Sequence, residues 1–150
     1  MKITSSAFEN YGVIPTIYTC EGTGINPPLE ISGIPDNAKS LVLIVDDPDA
    51  ISGTFVHWLV WNIEPKIVSI PQGSIPAGSV SGKNSSGSTS YIPPCPPGDS
   101  GTHHYRFKLS ALNKILSLSQ GSTLDELISA MEDFVIARAE LVGEFSRSAM

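Results

Sequence analysis

The aliphatic run Leu41-Val42-Leu43-Ile44-Val45 has no polar alternation, so it predicts a strand covered on both faces. It stops at Asp46-Asp47-Pro48-Asp49, a carboxylate-rich stretch whose simplest reading is a solvated turn. Phe55-Val56-His57-Trp58-Leu59-Val60-Trp61-Asn62 predicts a second strand. Strict alternation there puts Phe55, His57, Leu59 and Trp61 on one face, with His57 among large apolar neighbours. A third strand begins at His103. Its His103, Tyr105, Phe107 and Leu109 share one face, and His104, Arg106 and Lys108 share the other. The segment before it, Tyr91 to Gly101, holds Pro93, Pro94, Pro96 and Pro97 and predicts a stiff loop, because proline fixes φ and donates no backbone hydrogen bond.

The remaining pattern is weaker. Residues 1–40 show short strand-like pieces around Ile3, Phe8, Val13, Ile14, Ile17 and Tyr18, broken by glycine and proline. Asn26-Pro27-Pro28-Leu29-Glu30-Ile31 reads as a rigid turn entering a strand, with an X–Pro bond open to the cis form. Residues 63–90 are rich in glycine and serine and predict a long surface excursion between strong strands. Leu112, Ile115, Leu116 and Leu118 form a short apolar piece. Thr123-Leu124-Asp125-Glu126 is a capping box opening a helix whose Leu124, Leu127, Ile128, Met131 and Val135 follow the helical period. Ala137, Ala139, Leu141 and Val142 suggest a second helical stretch before Gly143. The expectation is a single domain over residues 1–150, mainly β with C-terminal helices.

With 15 acidic against 9 basic residues, nucleic acid is not an expected partner of the surface. Met1 to Phe8 lacks the apolar core of a signal peptide, and no apolar run reaches membrane-spanning length, so a cytoplasmic location is expected. Cys20 and Cys95 suit a reducing compartment and do not form a disulfide framework. Cys95 is either an accessible thiol or a small buried hydrophobe.

Asp47-Pro48-Asp49, then a strand containing His57-Trp58, then Pro96-Pro97-Gly98 leading to Gly101-Thr102-His103-His104-Tyr105, resembles the phosphatidylethanolamine-binding protein family, which includes the Raf kinase inhibitor proteins. The likeness spans nearly the whole chain. Cys20-Glu21-Gly22 with Asn26-Pro27-Pro28-Leu29 is similar to the family's early loop, and Ala139-Glu140-Leu141-Val142-Gly143 to the C-terminal helix of its bacterial and archaeal branch. The resemblance implies antiparallel β-sheets with a small anion pocket at one end. It implies Asp47, His57, Pro96, Pro97, His103 and Tyr105 as ligand-binding residues. His104 replaces the family's usual arginine, at a position that alternation sends to the opposite face. Implied ligands are phosphate, phospholipid headgroups such as phosphoethanolamine, and carboxylates. Implied partners are a protein kinase or serine protease, and a second copy in a homodimer. No cofactor or metal is implied. Two histidines can donate N–H groups to an anion, and a neighbouring carboxylate orients an imidazole and favours its charged form.

The rival reading is an enzyme. Asp47, His57 and His103 could hold a metal, or serve a Ser-His-Asp hydrolase with one of the many serines. No short helical ligand spacing such as His-Glu-x-x-His supports the metal, and no Gly-x-Ser-x-Gly element supports the hydrolase. Gly82-Lys83-Asn84-Ser85-Ser86 lacks the spacing of a phosphate-cradling loop. A non-catalytic binding protein is therefore expected.

Overall fold

The computed structural model describes residues 1–147. The strands are β1 (Lys2–Thr4), β2 (Gly12–Val13), β3 (Leu29–Ser32), β4 (Ser40–Asp47), β5 (Phe55–Ile63), β6 (Ser69–Ile70), β7 (Val80–Ser81), β8 (His103–Leu112) and β9 (Val135–Phe145), with one α-helix, α1 (Leu124–Met131), before β9. Two sheets form, in the orders β1-β3-β6 and β2-β9-β8-β4-β5-β7. All pairs are antiparallel except β2 with β9.

β4 is central in the larger sheet and buried along its whole length, as its unbroken apolar run requires. Leu41, Leu43 and Val45 face the small sheet and join Ile3, Leu29, Ile31, Trp58, Val60, Phe107 and Leu109 in the main core. Val42 and Ile44 face the other way and pack with Leu59, Trp61, Leu116, Leu127 and Met131 beneath α1. Thr123 caps that helix as its sequence predicts, accepting from the Glu126 backbone while Glu126 reaches back to the Thr123 N–H. No helix among the described residues is long and apolar enough to cross a membrane.

Three expectations need correction. The stretch 137–142 is not a helix but part of β9, paired along β8 from Leu112↔Val135 to His103↔Phe145. Its Ala137, Ala139 and Leu141 pack on the main core. They recur every second residue, a period that strand pairing uses and a helix does not. The second correction concerns β5. Val45 pairs with Trp58 but Asp46 pairs with Val56, so His57 is an inserted residue, a β-bulge. Phe55 and His57 therefore stay on the small-sheet side, whereas Leu59 and Trp61 turn to the helix side. Third, Cys20 and Cys95 form a disulfide. Cys95 is neither a free thiol nor a buried hydrophobe, and the support its free state lent to a reducing compartment falls away. Every peptide bond among the described residues is trans, the Asn26-Pro27-Pro28 turn included.

A candidate anion pocket

The bulge and the alternation of β8 converge at one end of the larger sheet. Asp47 ends β4, Phe55 and His57 begin β5, and His103 and Tyr105 begin β8. Between them and the proline loop lies a cavity of about 280 Å³. All six residues implied by the family resemblance line it: Asp47, His57, Pro96, Pro97, His103 and Tyr105. Phe55, Ile92, Pro93 and the Ala50–Gly53 loop complete the wall, so a polar floor sits inside an apolar collar. Sequence reasoning did not single out Phe55 for the pocket, although it shares a strand face with His57.

Of the three carboxylates at the end of β4, only Asp49 lies in an exposed turn. Asp46 and Asp47 are 2% and 4% exposed, which is tolerable only because both are paired. Asp46 points to the outer face, where Arg106 Nε and Lys108 Nζ each approach its carboxylate to 2.7 Å. Asp47 points to the pocket. Its Oδ1 accepts the Asp49 N–H at 2.8 Å, and its Oδ2 lies 2.7 Å from His103 Nδ1. Asp49 is turned outward to His104, accepting its N–H at 2.8 Å and its Nδ1 at 2.7 Å. The side-chain bond from His104 holds the Asp49 carboxyl below its ordinary range. Adjacent histidines thus have separate duties: His103 faces the cavity, and His104 anchors the Asp47–Asp49 turn from outside.

His57 Nδ1 donates to the Ile92 carbonyl at 2.7 Å. In the neutral ring this fixes the tautomer and leaves Nε2 as an acceptor. Burial pushes the His57 pKa down, more than the Ile92 carbonyl and the Asp47 and Asp46 carboxylates push it up. This reverses, for His57, the expectation that the nearby carboxylate would prevail. Tyr105 is buried, and burial followed by the Asp47 and Asp49 charges pushes its phenol well above the ordinary value, so it stays protonated. Its ring meets His57 edge-on at 5.3 Å and stacks with His103 at 6.4 Å.

The proline loop is tied down at several points. The Cys20–Cys95 bond joins it to the turn after Tyr18, Cys20 N–H donates to Pro94 O at 3.0 Å, and Tyr91 Oη donates to Tyr18 O at 2.9 Å. At its far end Ser100 Oγ lies 2.9 Å from His103 Nε2. Ser100 was not singled out by sequence; its only local signal is a position three residues before His103. Among the described residues, no three His, Cys, Asp or Glu side chains gather as a metal site.

Residues 4–146 match the model of the phosphatidylethanolamine-binding protein family. The chain belongs to that family. A UPF0098 protein of Pyrococcus horikoshii is 51% identical over 150 residues, which cover 95% of this chain and 75% of that one. A crystal structure from Chlamydia trachomatis, described as a phosphatidylethanolamine-binding protein homologue, superposes with a TM-score of 0.93 at 41% identity, covering 98% of this chain and 97% of that chain. A Mycobacterium tuberculosis protein named as a lipoprotein is 42% identical over 145 residues, covering 97% of this chain and 70% of that one. Family membership accounts for the sheet architecture, and the prokaryotic relatives place the chain in that branch of the phosphatidylethanolamine-binding proteins.

Proposed function

We propose that the pocket is a non-catalytic binding site for a small anionic group, phosphate-, phosphoethanolamine- or carboxylate-like, carried on a partly apolar ligand. The observation that supports it best is the convergence of His57, His103 and Tyr105 on one cavity, with Asp47 holding His103 by Nδ1. Neutral His57 offers a lone pair, so it engages an anion in one of two ways. It takes up a proton and donates from Nε2, or it accepts from an acidic hydroxyl such as that of a monoprotonated phosphate. Tyr105 supplies a neutral donor beside them. The apolar collar of Phe55, Ile92 and the prolines suits the carbon skeleton attached to such a group. Titration with phosphate and phosphoethanolamine tests the reading. Binding to the wild-type chain that is lost in His57→Ala and His103→Ala supports it, and undiminished binding in both variants opposes it.

A hydrolase has one observation in its favour, the Asp47–His103–Ser100 series at 2.7 and 2.9 Å, which matches the order of groups in a serine hydrolase. Against it, Ser100 Oγ also lies 2.7 Å from the Pro97 carbonyl, an acceptor that takes the hydroxyl proton a nucleophile would pass to histidine. Turnover of acyl or phosphate esters, abolished by Ser100→Ala, would establish the enzyme instead.

A further inference from the structure

His103 has both ring nitrogens engaged by the protein. Nδ1 meets Asp47 Oδ2 at 2.7 Å and Nε2 meets Ser100 Oγ at 2.9 Å. Ser100 Oγ is also 2.7 Å from Pro97 O, a carbonyl with no proton to give. A hydroxyl carries a single proton. With that proton on Pro97 O, Ser100 must receive Nε2–H from His103, so the ring donates at both ends, as only an imidazolium can. The other rotor, with Ser100 donating to Nε2, leaves two oxygens facing each other at hydrogen-bond distance with no proton between them. The donor that an anion would need from His103 is therefore occupied by a side chain of the same protein.

We propose that Ser100 is an internal stand-in for a ligand oxygen, and that binding exchanges it for the ligand as the Pro97–Gly101 turn swings off His103. The proposal rests on the reading of the pocket as an anion site. The loop is built for a movement of this extent. Its earlier part is pinned by the Cys20–Cys95 bond and by the Cys20 N–H on Pro94 O. The later part is held by the Ser100 N–H on Pro97 O at 3.1 Å and by the Ser100 side chain. Gly101, at φ +79° with open space around it, lets the turn pivot. An anionic oxygen accepts more strongly than a hydroxyl, so a phosphate displaces Ser100 where a neutral acceptor does not. Affinity is reduced by the fraction of molecules in which the turn is closed.

The test is phosphate titration of the intact, oxidised chain, with the histidine ring nitrogens followed by NMR. Ser100→Ala is expected to tighten phosphate binding by about two- to tenfold, the value of one net hydrogen bond. Ser100→Thr, which keeps the hydroxyl, is expected to restore wild-type affinity. If phosphate binds the wild-type chain but Ser100→Ala weakens or leaves its affinity unchanged, Ser100 is a ligand contact or a bystander, and the proposal fails. Covalent labelling of Ser100 by a fluorophosphonate, lost in His103→Ala, would make it a nucleophile and also overturn the stand-in role. If none of the proteins binds phosphate, the anion reading fails, and the proposal with it.

Discussion

His103 and His104 are neighbours in sequence with opposite environments, 3% exposed against a side chain 40% exposed. His103→Ala removes both the cavity imidazole and the partner of a buried carboxylate. It should abolish phosphate binding and lower stability by about 3 kcal/mol, the scale set by an uncompensated buried charge. His104→Ala keeps the backbone N–H bond to Asp49, so binding should fall only slightly. Isothermal titration and urea unfolding of the two variants measure the contrast. His57 governs the pH response. Its folded pKa lies below the ordinary value of about 6.5 because burial disfavours the cation. The unfolded chain therefore protonates first as pH falls. The stability contributed by neutral His57 is complete above the unfolded value and is lost as pH falls through the folded one. A bound anion reverses the preference, so binding takes up a proton. Affinity for sulfate, which keeps its charge throughout the histidine range, should rise as pH falls below about 6.5 and lose most of that rise in His57→Gln. Titrations across this range check the sign.

At the scale of elements, legibility followed periodicity. β4, β5, β8 and α1 were readable because each is long enough to show a period and its apolar face meets a core. Among the strands of two to four residues, β1 and β2 showed only as strand-like pieces around Ile3 and Val13, β3 as the strand entered from the Asn26-Pro27-Pro28 turn, and β6 and β7 are too short for a pattern to register. β9 was misread because alanine, glutamate and leucine favour helices, while its pairing with β8 is a tertiary fact. The bulge at His57 was illegible for a similar reason: only β4 opposite reveals the extra residue. The buried pairing of Asp46 and Asp47 depends on partners 60 and 56 residues away. β9 also carries a prediction. A Cβ at Gly143 would lie 2.5 Å from Ile14 Cγ1 and 2.8 Å from Phe8 Cε2. Gly143→Ala should therefore cost about 1–3 kcal/mol through overpacking, read from the urea midpoint, whereas a solvated helical position would gain from alanine.

For the whole molecule, the two sheets and α1 form the frame, and the pocket is where a central strand, a bulged strand and a pinned loop meet. The disulfide reaches across 75 residues from the early turn to the pocket lip. Chain-entropy arguments give a loop of that size a contribution of about 4 kcal/mol. Cys20→Ser/Cys95→Ser, or reduction of the native chain, should lower the melting temperature by calorimetry and weaken phosphate binding as the lip loosens. The pairing was hidden in the sequence because two cysteines so far apart carry no spacing signal. The central claim is that the Asp47, His57, His103 and Tyr105 end of the molecule receives an anionic group. The chain has three histidines, so each ring can be followed individually. The direct measurement is long-range ¹H–¹⁵N NMR of those rings during titration with phosphoethanolamine. The account predicts saturable shifts of the His57 and His103 nitrogens at one common affinity, with His104 nearly still. Shifts confined to His104, or no shift at His57 and His103 up to saturating ligand, would contradict it.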